Sequence, residues 1–267
     1  MSSSQRLVLS IAITVAGLFV LQAILLSALM LIYAIGSHEV SYFVTVLLMV
    51  HGALLIFLVV MQDSFYLLPS RRHLERVNFS NVLTLTRISS TPTILYLLIL
   101  SADYPITGVT VAFTALIFLT DLLDGRVSRK TGQVTRIGHY LDSMSDYAML
   151  IAISIAFLHY ALISRWFFRL MMLRLLFQWV GMGLLLVVRG SVEPRSSLWG
   201  KISVFAAMSL YAVALLKLMP RIDRLAGVLY ATLEPAAAVL IAVSIVDKAL
   251  TLFREFRDSL RRAAPPD

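Results

Sequence analysis

Residues 121–146 read DLLDGRVSRKTGQVTRIGHYLDSMSD. Asp121 and Asp124 are three apart, and Asp142 and Asp146 are four apart, so on helices each pair shares a face. Gly125 and Gly138 bound the segment between the pairs, and antiparallel helices joined by a short connection pack against each other. The spacing predicts the end of one helix, a tight turn and the start of the next, with four carboxylates converging near one point.

These acids sit between strongly apolar segments. Of the 267 residues, 59% are hydrophobic and 14% charged, and the mean hydropathy is +0.86, a balance that excludes an ordinary soluble domain. The run LVLSIAITVAGLFVLQAILLSALMLIYAIG, from Leu7 to Gly36, exceeds the roughly 20 residues of a spanning helix and the short apolar core of a cleaved signal, so it reads as a retained first span. With this one, eight apolar segments stand out, at roughly 7–35, 40–62, 82–101, 105–124, 139–163, 166–188, 200–219 and 225–247. They are continuous rather than alternating, which argues against a β-barrel. The expected fold class is all-α: a polytopic membrane bundle of about eight spans, with a six-helix core and two N-terminal helices. The expected organisation is a two-helix extension over 1–66, an interfacial segment over 67–80, the core over 81–250 and a basic tail over 251–267.

Even-numbered spans put both termini on one side. That side also carries the aspartates, Arg71, Arg72, Arg76, Arg126, Arg129, Lys130, Arg136, Lys201 and the tail, while Arg165, Arg169, Lys217, Arg221 and Arg224 lie opposite. The bias of about three to one makes the aspartate face cytoplasmic. The net charge of +8 then reflects orientation and anionic lipid heads, with no nucleic acid as partner. Within LLPSRRHLERVNFSN, residues 67–81, Leu74 and Val77 against Arg71, Arg72 and Arg76 suggest an amphipathic interfacial helix, with a solvated connector as the alternative.

Four like charges where water is scarce repel, and one carboxylate within a membrane helix already costs on the order of 3 kcal/mol. With no cysteine in the chain, hard oxygen ligands point to Mg²⁺, Mn²⁺ or Ca²⁺, and four carboxylates can hold two ions about 4 Å apart, as in phosphoryl transfer. The plainer reading pairs the acids with Arg126, Arg129, Lys130 and Arg136. It leaves the bracketing glycines unexplained.

The same residues resemble the signature of the CDP-alcohol phosphotransferases, D-x2-D-G-x2-A-R-x8-G-x3-D-x3-D. Asp121, Asp124, Gly125, Arg129, Gly138, Asp142 and Asp146 stand at its positions, and Ser128 replaces its alanine. The resemblance implies a two-metal centre of Mg²⁺ or Mn²⁺ on Asp121, Asp124, Asp142 and Asp146, with Asp146 also the base toward an acceptor alcohol. It implies that Gly125 lets the CDP diphosphate approach, that Gly138 allows a close helix or ligand, and that Arg129 neutralises phosphate as CMP leaves. NVLTLTR is similar to the family's N-x-x-T-x-x-R opening, which places Asn81, Thr84 and Arg87 on one helical face toward the nucleotide. A helix cap at Ser80 or Asn81 is the competing view. GKIS, 200–203, resembles a G-K-x-[ST] opening that would direct Lys201 to an acidic acceptor or lipid phosphate, against a snorkelling lysine.

Glu234, inside the last span, lies toward the opposite face and reads as a paired or protonated bundle residue beside a kink at Pro235. His139 adjoins the acids without being needed as a ligand. The resemblance implies a transferase of phospholipid synthesis that moves a substituted phosphate from a CDP-alcohol, CDP-diacylglycerol first, to an alcohol, glycerol 3-phosphate first, releasing CMP. CDP-choline or CDP-ethanolamine with diacylglycerol is the alternative within the class, and a divalent-cation transporter the alternative outside it. Partners are then CDP-alcohol and lipid substrates and the membrane, with a homodimer as candidate assembly. The expected location is a bacterial cytoplasmic (inner) membrane, with the site and both termini cytoplasmic.

Overall fold

The computed structural model describes residues 2–68, 70–131, 133–189, 197–217 and 222–263, with backbone alone at 118, 121–131, 182–189, 255, 256 and 258–263. Among them are eight α-helices: α1 (Ser3–Tyr33), α2 (Ser37–Val60), α3 (Phe79–Leu100), α4 (Thr107–Thr131), α5 (Arg136–His159), α6 (Arg165–Arg189), α7 (Leu198–Leu216) and α8 (Asp223–Ala263). No strand occurs among the described residues, only isolated bridges at Tyr66–His73 and Leu67–Thr135. Six helices, α1, α2, α3, α5, α7 and α8, are long and apolar enough to cross a membrane, judged on described residues. In α4 the corresponding apolar stretch is Thr107–Ile117, and α6 carries Arg165, Arg169 and Arg174. The chain divides into two compact units, Met1–Ala156 and Phe157–Asp267.

In the first unit, Ser2 caps α1 in a capping box with Gln5, and Ala34, at φ 52°, ends it. Gly36 then starts α2, so three residues join an antiparallel pair. α3 is the central helix: 61% of its spanning window is buried, against 28% for α1 and for α2. Leu26 and Leu29 of α1, Phe43 and Leu47 of α2, and Tyr96, Leu97 and Leu100 of α3 form one core. A helix buried by protein can carry polar side chains that lipid would not tolerate, provided they are hydrogen-bonded. Accordingly Gln22 of α1 donates to Ser90 Oγ at 2.9 Å and accepts from Thr93 Oγ1 at 2.7 Å. His51 of α2 meets Ser89 Oγ at 2.8 Å.

The segment before α3 is not the amphipathic helix expected over 67–80. After a short 3₁₀ turn, Gln62–Ser64, the chain folds back on itself, with the Leu74 N–H bonded to Phe65 O at 2.8 Å and Arg71 at φ 52°. Its polar backbone is drawn to the turn before α5: Leu68 N–H reaches Val134 O at 2.9 Å, and Arg136 N–H reaches Tyr66 O at 3.1 Å. Helical hydrogen bonding there would forfeit both contacts.

In the second unit, Ala161, at φ 53°, turns the chain from α5 to α6. Ser164 caps α6, its hydroxyl accepting from Phe167 N at 3.2 Å and donating to Glu234 of α8. Tyr230 Oη also donates to Glu234, at 2.6 Å. Lys217, at the end of α7, donates to Leu162 O at 2.6 Å and sits 3.6 Å over the Tyr230 ring. Glu234 is thus the paired bundle residue that its position in an apolar helix suggested.

Candidate active site

Asn78 closes the first turn of α3, its side chain accepting from Asn81 N at 3.1 Å. The cap is therefore Asn78, not Ser80 or Asn81, which leaves the Asn81 side chain free for other work. Asn81, Thr84 and Arg87, at i, i+3 and i+6, are all buried and line one face of α3. Thr84 donates back to Ser80 O at 3.3 Å.

Asn81 Oδ1 accepts from Thr135 Oγ1 at 2.9 Å, and the same threonine oxygen accepts from Gly138 N at 3.0 Å. Thr135 is thus both the cap of α5 and its fastening to α3. Gly138 lies at this crossing: a Cβ there would come within 2.9 Å of Thr135 Oγ1 and 3.1 Å of Asn81 Oδ1. Its role in this structure is the close helix approach, one of the two uses expected for it. Asn81 Nδ2 is buried without a hydrogen-bond partner among the described residues, a donor suited to an incoming polar ligand.

One turn and two turns further along α5 lie Asp142 and Asp146. Arg87 Nη2 bonds Asp142 Oδ1 at 3.0 Å, and Nη1 lies 3.9 Å from Asp146 Oδ1. The guanidinium is buried, with its side chain 4% exposed, whereas the carboxylates are 60% and 62% exposed. A buried cation thus stands against two exposed carboxylates. Arg136 donates to Tyr66 Oη at 3.0 Å and to Tyr140 Oη at 3.4 Å. His139 is exposed.

Asp121, Asp124, Gly125 and Arg129 belong to α4, but their side chains lie outside the described residues. No group of three or more His, Cys, Asp or Glu placed for a metal occurs among the described residues, a search that covers half of the aspartate quartet. The donor chemistry fits a divalent ion: two adjacent, exposed carboxylates are hard oxygen donors of the kind that suits Mg²⁺ or Mn²⁺.

In the second unit, Lys201 is exposed in the first turn of α7, which Ser197 caps through Gly200 N at 3.0 Å. Arg174 of α6, buried, donates to Gly200 O at 3.3 Å. A helix N-terminus with two cations is suited to an anion. Arg174 carries a signal legible in the sequence, an arginine within an apolar helix. Thr135 carries none, because its part depends on Asn81, 54 residues away.

Residues 77–249 match the CDP-alcohol phosphatidyltransferase family, and the chain belongs to it. Among its relatives is a CDP-diacylglycerol--glycerol-3-phosphate 3-phosphatidyltransferase of Aquifex aeolicus, 32% identical over 187 residues, which cover 67% of this chain and 97% of that protein. No solved structure matches. The protein is an integral membrane enzyme of phospholipid biosynthesis, a transferase of phosphate-containing groups, in a family that generally uses divalent metals. The ion-carrier alternative falls with that membership.

Proposed function

We propose that this enzyme transfers the phosphatidyl group of CDP-diacylglycerol to glycerol 3-phosphate, releasing CMP. The observation that carries the reading is the buried Arg87 set against the open carboxylates of Asp142 and Asp146. The printed activity of the Aquifex aeolicus relative supports the choice of substrates. Asp121, Asp124, Asp142 and Asp146 would hold Mg²⁺ or Mn²⁺, and such ions, when bound, neutralise a diphosphate and polarise an alcohol.

The chain's own groups do the rest. Gly125 admits the diphosphate, Arg129 offsets its charge as CMP leaves, and Asn81 and Thr84 face the nucleotide. Arg87 orients the two α5 carboxylates. Asp146 takes the proton of the acceptor hydroxyl as its oxygen bonds to the phosphorus distal to cytidine and the bridging P–O bond breaks. Lys201 is the candidate contact for the acceptor or for a lipid phosphate. One substrate is a lipid and the other water-soluble, so a site at the membrane boundary serves both.

In this reading residues 81–250 are the catalytic core, 1–66 an added pair of spans, 67–80 an interfacial link and 251–267 a basic tail. The site and both termini face the cytoplasm of a bacterial inner membrane, and the protein works as a homodimer. The test is CMP release by full-length protein in detergent with CDP-diacylglycerol and Mg²⁺ or Mn²⁺, offered glycerol 3-phosphate, inositol phosphate or serine, and separately CDP-choline with diacylglycerol. Release with glycerol 3-phosphate is expected. Release only with another pair overturns the substrate assignment.

A further inference from the structure

The connector between α2 and α3, almost all of it ahead of the matched residues 77–249, bonds to the turn inside the aspartate motif. Tyr66 and Leu68 pair antiparallel with residues 134–136 on either side of the Leu67–Thr135 bridge. Tyr66 Oη accepts from Arg136. The connector is fastened in turn: Phe65 is fully buried, Val77 N–H reaches Ser10 Oγ of α1 at 3.1 Å, and Arg6 pairs with Glu75 at 3.2 Å.

Arg136 is the first residue of α5. At 1.5 Å per residue, Asp142 and Asp146 follow about 9 Å and 15 Å along the axis, so a slip or tilt at Arg136 is carried to both carboxylates. Arg87 comes from another helix and would not follow. Misplacement of about 1 Å at a reacting centre can lower rates by about two orders of magnitude.

We infer that Tyr66, acting through Arg136, is a positioning residue for the transfer reaction: the connector sets where α5 begins, and so where Asp142 and Asp146 stand against Arg87. This rests on the reading that those acids work at the reacting centre. Tyr66 does not touch substrate in this account.

Tyr66→Phe removes the hydroxyl and keeps the ring that packs on His73, 5.7 Å between centroids. In full-length protein we expect kcat to fall about tenfold, with KM for CDP-diacylglycerol within about twofold, an unchanged melting temperature, and Mn²⁺ binding, followed by electron paramagnetic resonance, weaker by several-fold. Values of kcat and Mn²⁺ affinity within about twofold of the parent overturn the inference, as does a lower melting temperature with parental kcat. Asp146→Asn, measured in parallel, separates the two levels. Abolished turnover there keeps the reading of the acids, so that a parent-like Tyr66→Phe defeats only the positioning role; parent-like turnover of Asp146→Asn defeats the reading itself.

Discussion

Gly138 shows what a single position can carry. Alanine raises helix propensity by about 1 kcal/mol, but its Cβ would press on Thr135 Oγ1 and Asn81 Oδ1. Those atoms are bonded to each other, so neither can retreat without breaking the fastening of α5 to α3. Overpacking of this kind costs about 1–3 kcal/mol, which outweighs the propensity gain. Gly138→Ala should fold with a lower melting temperature and turn over at least about tenfold more slowly, read by differential scanning fluorimetry and by CMP release. Arg87 teaches the complementary lesson: NVLTLTR suggested a nucleotide contact, and the structure sets its guanidinium on the acids. On that helix Asn81 Nδ2 is a buried donor without a hydrogen-bond partner among the described residues.

At the scale of elements, the start of α5 is gripped from three sides. Asn78 donates to Gln133 O at 3.1 Å, Asn81 accepts from Thr135, and residues 66–68 pair with 134–136. Thr135→Val keeps the shape and deletes the hydroxyl, which removes a cap worth about 1 kcal/mol and strands a buried amide oxygen at about 1–3 kcal/mol more. Equilibrium unfolding in mixed detergent should register a loss of about 2–4 kcal/mol, and Thr135→Ser should stay near the parent. The acidic pairs and the N-x-x-T-x-x-R face could be read from spacing because helical neighbours lie three or four residues apart; Gly125, expected to bound the turn, lies within α4. The grip on Thr135 could not, because its partners lie 54 and 68 residues earlier in the chain.

For the whole molecule, the distribution of basic residues predicts which ends of the helices face the cytoplasm. The absence of cysteine makes this testable, since one introduced thiol reports one position. In inverted and right-side-out vesicles, Ser70→Cys and Arg257→Cys should react with a membrane-impermeant maleimide from the cytoplasmic side. Asp103→Cys and Ala161→Cys should react only from the opposite side. Reversal of either pair overturns the orientation. Within the second unit Glu234, Ser164, Tyr230 and Lys217 tie the start of α6 and the end of α7 to α8. Their pairing accounts for an acid in an apolar helix without giving it chemistry.

By itself the sequence determined that the chain is a membrane bundle of helices and that its acids come in two helical pairs. Both follow from local periodicity and from the cost of placing polar groups in hydrocarbon. Only the tertiary structure decided that Arg87 faces Asp142 and Asp146, that Thr135 joins α3 to α5, and that the segment before α3 is a folded clasp. Each depends on hydrogen bonds between residues distant in the chain, for which spacing along the sequence carries no signal.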